Sequence, residues 1–312
     1  MKLIFKDLKF ERVSNKNLKE ILNLFKNIFK ISLSLQYYKN YFYYNNKYYS
    51  FIVKDNNKII GHVGFKIIDF TINEKKIKIA FRFSSMINKN YRKLGIYKYL
   101  NIFSFKKLKE NNIYEVICWP NNSNLIGCKK HKNFYLIDKI KTYSIKVSGV
   151  KNINTFLRNN KIYKCSLKNI KYINILNSSE INNKINIIKN YHYLRKKYFF
   201  SKHKNYYFYF DNFNLVFFSL DIDNNSTINV LDYCGKLSCL HNFIFFLNDY
   251  KFLIRFWMNM ENIENINFLS NYNYFDENLN FNLGYYTLDK RRSKLLKYIN
   301  KYDYCMGDSD VF

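Results

Sequence analysis

The stretch from Ser84 to Leu100 reads SSMINKNYRKLGIYKYL: an apolar strand pattern ends, a basic loop follows, and a helical pattern begins at once. The first amides of a helix have no acceptor within the helix, so a helix opening here presents them, with the positive end of its dipole, to an anion. Arg92 and Lys93 add positive charge, and Gly95 lets a ligand approach the backbone. The chemistry this pattern serves is the cradling of a phosphate or pyrophosphate. An ordinary strand-to-helix turn can carry the same residues, so the surrounding elements must decide.

Those elements can be read from periodicity. Residues 8–13 form a short strand, and a helix capped at Ser14 or Asn15 places Leu18, Ile21, Leu22, Phe25, Ile28 and Phe29 on a helical period. Residues 33–44 read as a second amphipathic helix. Strands are expected over 49–54, 59–72 and 76–87, turned at 55–58 and 73–75. A helix over 96–109 stops at Asn111-Asn112, a strand covers 114–119, a short helix starts at Pro120-Asn121-Asn122-Ser123, and a strand covers 135–146. In the second half, 149–185 looks like an Asn- and Lys-rich connection, and a helix is expected over 185–198. Strands follow at 206–210, 214–220, 227–233 and 251–258, with a helix over 238–249. Three strands, a helix and a strand thus recur, as a degenerate copy would. The fold class is α/β (α+β): a mixed, mostly antiparallel sheet flanked by helices, with a first domain over 1–148 and a second lobe over 149–312.

The loop Arg92-Lys93-Leu94-Gly95-Ile96-Tyr97 resembles the Arg/Gln-x-x-Gly-x-Gly/Ala signature that opens the third helix of GNAT acetyltransferases. Tyr97 replaces the final small residue and crowds the loop. Cys118-Trp119-Pro120-Asn121, followed by Lys132-Asn133-Phe134, is similar to the family's next hallmark, with Asn133 where Gly is usual. The resemblance covers residues 1–145. Trp119-Pro120-Asn121 is also similar to a subgroup of two-lobed GNAT proteins from surface-polysaccharide and glycan gene clusters. Leu194-Arg195-Lys196-Lys197-Tyr198 partly matches that subgroup's Leu-x-Trp-Arg-Tyr motif, and Met306-Gly307-Asp308-Ser309-Asp310 looks like its Gly-Asp-x-Asp ending.

The resemblance implies the GNAT fold and an acetyl-CoA-dependent N-acyltransferase. The backbone amides of Leu94, Gly95, Ile96 and Tyr97, with Arg92 and Lys93, would hold the pyrophosphate of the acyl-CoA cosubstrate. Main-chain groups of Ser85, Met86 and Ile87 would hold the pantetheine arm, and Asn121 and Asn124 would add side-chain contacts. The implied reaction is direct attack of a neutral amine on the thioester, with the oxyanion and the leaving thiolate stabilised. Glutamate is absent from Phe81–Ile87, where the family often places its base; Glu74 is a substitute, or a solvated turn carboxylate. His62 could face the cleft or sit satisfied in the sheet. His131 could protonate the thiolate, although solvent relay needs no such residue. Asp308 and Asp310 could fold back to orient the acceptor or could be a frayed terminus, and Asp232 could mark a strand end facing the same cleft.

Composition narrows the alternatives. Among 312 residues, 48% are hydrophobic and 20% aromatic, with 8 Gly and 1 Pro, which excludes collagen-like, linker-like and low-hydrophobicity disordered classes. The net charge of +29 comes from scattered Lys alongside abundant Asn, Ile, Tyr and Phe, all residues with A/T-rich codons. Nucleic acid is therefore not the expected partner. The expected partner is a small-molecule amine, an amino sugar or nucleotide-linked amino sugar, with a homodimer left open. Six Cys with no C-x-x-C pair fit a reduced, cytoplasmic protein without a metal cofactor. The apolar window Leu240–Met258 carries too many polar residues to span a bilayer. Two other functions stay open: a non-catalytic GNAT-like protein, and an aminoacyl-tRNA-dependent transferase with a tandem GNAT fold.

Overall fold

The computed structural model describes residues 8–39, 48–72, 75–178, 185–187, 194–199, 205–211, 214–221, 226–234, 237–258, 263–293 and 295. The chain forms two compact units. Unit 1 comprises Met1–Phe70, Lys76–Asp138 and Asn282–Lys297, and unit 2 comprises Thr71–Lys75, Lys139–Phe281 and Tyr298–Phe312.

Unit 1 begins with strand β1 (Lys9–Arg12) and helix α1 (Leu18–Phe29), whose periodic Leu18, Ile21 and Leu24 are buried. The chain enters α1 through a tight turn in which the Asn17 side chain accepts from the Ser14 amide at 2.9 Å. The helix stops at Lys30, which turns left-handed at φ 62. Of the helix expected over 33–44, α2 (Leu35–Tyr38) is present, and residues 40–47 lie outside the described ones. Strands β2 (Tyr48–Asp55) and β3 (Lys58–Ile72) form a hairpin, turned by Asn56 and Asn57 at φ 46 and 69, as a twist-matched two-residue turn requires. Strand β4 (Lys75–Ile87), helix α3 (Ile96–Glu110), strand β5 (Glu115–Cys118), helix α4 (Asn122–Lys129) and the start of β6 (Phe134–Ser148) follow as expected.

Unit 2 holds the rest of β6, α5 (Ile153–Leu157), β7 (Ile162–Lys164), β8 (Ile185–Ile187), β9 (Tyr206–Phe210), β10 (Leu215–Leu220) and β11 (Thr227–Cys234). Helix α6 (Ser238–Leu247), β12 (Lys251–Met258) and α7 (Ile263–Ser270) complete it, before β13 (Tyr274–Thr287) passes from unit 2 into unit 1 at Asn282. Of the helix expected over 185–198, Ile185–Ile187 is instead extended, as its β-branched alternation favours, Arg195–Phe199 is a π-helical turn, and residues 188–193 lie outside the described ones. Division at 148/149 also misses the exchange at the chain's end, because residues 282–297 cluster with unit 1.

Each unit contains a mixed run of paired strands. In unit 1 the order is β1-β2-β3-β4-β5-β13, with β4 and β5 parallel and β13 antiparallel to β5. In unit 2 it is β6-β12-β11-β10-β9-β7, with β11 and β12 parallel around α6. An antiparallel run, a helix and a parallel strand therefore occur twice, as the patterning suggested. Aromatic rings fill both cores. Phe51, Phe65 and Phe105 meet edge to face in unit 1, and Phe156 packs on Phe218, Tyr250 and Phe252 in unit 2. Burying each such ring contributes about 1.5–3 kcal/mol. Among the described residues, no helix is long and apolar enough to cross a membrane.

Candidate active site

The site in unit 1 begins where two parallel strands part. β4 and β5 pair through Ala80–Val116, Phe81–Ile117 and Arg82–Cys118, and the register ends there while β4 continues to Ile87. Just past the fork, Ser84 adopts φ 45, a left-handed conformation uncommon for a side chain other than Gly or Asn. Its carbonyl turns to accept from Nδ1 of His62 at 2.9 Å. The opposite ring nitrogen, Nε2, lies 3.1 Å from the Tyr38 hydroxyl, which donates to it in the neutral tautomer. His62 is fully buried, and burial lowers its pKa to about 4, so it is neutral near pH 7. Of the two readings open for His62, the structure selects the satisfied sheet histidine. Its task is to hold the left-handed kink at Ser84. Gly64 is needed beside it, since a Cβ there would come within 2.3 Å of the Phe83 ring.

A few residues past this kink comes the basic loop. Asn88 accepts from the Asn90 amide, Lys93 sits at φ 65, and Gly95 at φ 79 caps α3 in a conformation that favours glycine. The Gly95 carbonyl accepts from the amides of Lys98 and Tyr99, which leaves the Ile96 and Tyr97 amides at the helix mouth. Arg92 and Lys93 are exposed, and Arg92 Nε donates to the Ile87 carbonyl at 3.2 Å. A phosphate-bearing ligand at this mouth would meet free amides, the helix dipole and two cations. Tyr97 does not crowd the mouth. Its ring turns inward, where a Cβ on Gly127 would lie 3.2 Å away.

Beneath the loop is a cluster that the motifs did not reveal. Arg82, on β4, is 7% exposed. Its Nε donates to Ser85 Oγ at 2.8 Å, Nη2 to Asn101 Oδ1 at 2.9 Å, and Nη1 to the Tyr286 hydroxyl at 3.3 Å. The guanidinium also lies 4.8 Å from the Tyr97 ring centre and 5.8 Å from that of Tyr286. No carboxylate pairs with it among the described residues. The Tyr97 hydroxyl is 3.4 Å from Cys128 Sγ. Hydrogen bonding from Cys118, opposed by burial but aided by Arg82, Tyr286 and Tyr97, lowers the Cys128 pKa to about 5. Burial and the neighbouring Cys128 push the Cys118 thiol upward. Desolvation opposes the charge on Arg82, but Tyr97, Tyr286, Cys128 and Cys118 more than offset it, so the guanidinium stays protonated.

The expected site residues fall unevenly around this cluster. Ser85 is half-buried and Met86 buried on the free edge of β4, and Ile87 anchors Arg92. Asn121 caps α4 by accepting from the Asn124 amide at 2.9 Å, so its side-chain oxygen has a structural task. Asn282 of β13 fastens the same turn by donating to the Pro120 carbonyl and to Asn122. His131 packs edge-on against Phe105 and Tyr286, and its Nδ1 faces the Asn133 amide at 3.4 Å. Burial, then Arg82, Lys132 and Lys98, lower its pKa, which suits a proton acceptor rather than the donor expected from the sequence. Glu74, Asp308 and Asp310 lie outside the described residues. In unit 2, Asp232 is fully buried, accepting from the Tyr198 hydroxyl and paired with Lys197 at 3.5 Å, so it serves the core of that unit.

Sequence reasoning passed over Arg82, Cys118, Cys128 and Tyr286. One signal was present: Arg82 interrupts an apolar strand between Phe81 and Phe83 in a chain whose cations are mostly Lys. A cation inside such a run is rarely left there without a partner.

Residues 18–132 match the model of the acetyltransferase (GNAT) family. No curated protein matches the chain by sequence. Among solved structures, a GCN5-related N-acetyltransferase from Anabaena variabilis superposes with a TM-score of 0.67 at 11% identity, covering 91% of this chain and 74% of that one. Another from Kribbella flavida gives 0.66 at 8% identity, covering 92% and 72%. Saccharomyces cerevisiae N-myristoyltransferase with bound myristoyl-CoA gives 0.59 at 6% identity, covering 91% and 83%. At these identities the likeness is one of fold.

Proposed function

We propose that this GNAT-superfamily N-acyltransferase takes its acyl group from acetyl-CoA or another acyl-CoA and places it on the amine of an amino sugar or nucleotide-linked amino sugar. One observation carries the donor half: the β4–β5 ladder stops at Arg82 and Cys118, and the freed edge of β4 leads straight to the open N-terminus of α3. In this reading the amides of Leu94–Tyr97, with Arg92 and Lys93, hold the pyrophosphate. The main chain of Ser85–Ile87 pairs with the pantetheine arm as an extra strand would, and the thioester comes to rest at the fork. In the same reading the side chain of Asn124 contacts the arm beyond the fork. His131, neutral near pH 7, accepts the proton of the attacking amine.

The acceptor half rests on the sequence alone, on Trp119-Pro120-Asn121 and on the partial motif at Leu194–Tyr198. Its test is release of free CoA from acetyl-CoA in the presence of single candidate amines: nucleotide-linked amino sugars, free amino sugars, polyamines and peptides. Saturable, sugar-dependent release with an acetylated sugar as product is the expected result. Turnover confined to peptides or polyamines would overturn the amino-sugar assignment and leave the donor assignment standing.

A further inference from the structure

Attack on a thioester moves negative charge onto the carbonyl oxygen before the carbon–sulfur bond breaks, and a cation fixed beside that oxygen lowers the barrier. Arg82 is such a cation by position. It forms the last rung of the β4–β5 ladder, opposite Cys118, where a thioester carried between those strands would come to rest. Its guanidinium is charged at any working pH, is 7% exposed, and has no carboxylate partner among the described residues. The groups that meet it are uncharged. Ser85 Oγ accepts at 2.8 Å, Asn101 Oδ1 at 2.9 Å and the Tyr286 hydroxyl at 3.3 Å, and the Tyr97 ring centre lies 4.8 Å away. A guanidinium carries more N–H donors than these acceptors use. Ser85, half-buried on the freed edge of β4, ties the guanidinium to the main chain that leads to the α3 mouth. A side chain that only filled this strand would be apolar, as Phe81 and Phe83 are, because a buried cation without a counter-charge costs the fold more than an apolar residue does.

We propose that Arg82 is a catalytic residue whose guanidinium binds the thioester oxygen of the acyl-CoA and takes up the negative charge that forms there when the amine attacks. The inference rests on the acyl-CoA reading of the site. The amine nitrogen bonds to the carbonyl carbon, the carbon–oxygen pair moves onto the oxygen against the guanidinium, and one amine proton passes to His131. The pair then returns, the carbon–sulfur bond breaks, and CoA leaves as a thiolate that takes up that proton through solvent. Arg82 neither gains nor loses a proton, and no oxidant or reductant is needed. The oxyanion supplies for a moment the counter-charge that the resting cluster lacks. Because Ser85, Asn101 and Tyr286 hold the guanidinium in place beforehand, no reorganisation accompanies that charge. Arg82 therefore distinguishes the anionic state from the neutral thioester, which raises kcat more than it raises affinity for the donor.

The test uses the full chain and two unreactive analogues of acetyl-CoA, titrated by calorimetry with no acceptor present. In the ketone, methylene replaces the thioester sulfur. In the carboxylate, methylene replaces the sulfur and oxygen replaces the methyl group, so that a negative oxygen stands at the carbonyl carbon. The native protein is expected to bind the carboxylate about tenfold or more tightly than the ketone, as analogues of a transition-state charge do. Arg82→Met is expected to bind the ketone nearly as the native protein does and to lose the preference, with circular dichroism confirming its fold. Should that variant fail to fold, a crystal structure of the native protein with the carboxylate decides: its oxygen is expected on the Arg82 guanidinium, and an oxygen held elsewhere overturns the assignment. Equal binding of the two analogues by the native protein overturns the role of Arg82 and leaves the acyl-CoA reading intact. A preference that survives in folded Arg82→Met places the charge on another cation and overturns the proposal. Absence of binding by both analogues overturns the proposal together with the acyl-CoA reading beneath it.

Discussion

Arg82→Met is expected to lower acyl transfer by about a hundredfold or more, the scale seen when a charge-stabilising donor is lost from an active site. The replacement keeps much of the side-chain length and removes the charge. Asn101 Oδ1, the Tyr286 hydroxyl and Ser85 Oγ each lose a donor, and an unsatisfied buried acceptor costs about 1–3 kcal/mol. Some of that loss is offset because Arg82 itself is a buried cation whose desolvation opposes folding. The pH profile separates catalysis from packing. Burial holds the His131 pKa down and Arg82 lowers it further, so without the guanidinium it should rise, moving the acid limb of the rate profile upward. A variant that slowed transfer with an unmoved acid limb would show that Arg82 only packs the fork.

His62→Leu is expected to weaken both the fold and donor binding. The Ser84 carbonyl, held at 2.9 Å in the native protein, would be left without its donor at a strained φ of 45. Loss of that bond, at about 1–3 kcal/mol, should let the kink at Ser84 relax and take the main chain of Ser85–Ile87 out of line. A several-fold rise in the KM for acyl-CoA is the functional sign. Its pH signature is opposite in character. The folded pKa of His62 is lowered from 6.5 to about 4, so between those values the unfolded chain binds the extra proton and native stability falls as pH drops. The full span is worth about 3 kcal/mol, complete above pH 6.5 and lost on going down toward pH 4. Denaturant unfolding across that range should be steep for the native protein and flatter for His62→Leu. Parallel curves for the two proteins would contradict the assignment of that acid-side instability to His62.

The local parts of the architecture were legible because short-range rules govern them. Asp55-Asn56-Asn57-Lys58 demanded a tight hairpin, the spacing of Leu18, Ile21 and Leu24 fixed a helix face, and the basic run before Ile96 announced a helix mouth. The strands at 206–210, 227–233 and 251–258 were visible because their apolar residues are dense. β13 escaped because its sequence, YFDENLNFNLGYYT, is interrupted by Asn, Asp and Glu; Asn282 is nevertheless buried, where its amide bridges Pro120 and Asn122. That omission hid the heart of the site. Tyr286 comes from β13, 204 positions from Arg82 in the sequence, and no spacing rule connects them. Cys118 and Cys128 form no C-x-x-C pair, and their spacing marks no chemistry in the sequence. Their significance lies in the buried cation beside them, which only the tertiary fold brings there.

The central claim is that the mouth of α3 receives an acyl-CoA. Isothermal titration with acetyl-CoA, run on the native protein and on a charge-reversed Arg92→Glu variant, tests it most directly. Arg92 is exposed at the mouth, so the change alters its field without opening the core. The native protein should bind one equivalent saturably, and the variant should bind at least tenfold more weakly, a difference of about 1.4 kcal/mol. A folded native protein that takes up no acetyl-CoA, or a variant that binds as tightly as the native chain, would contradict it.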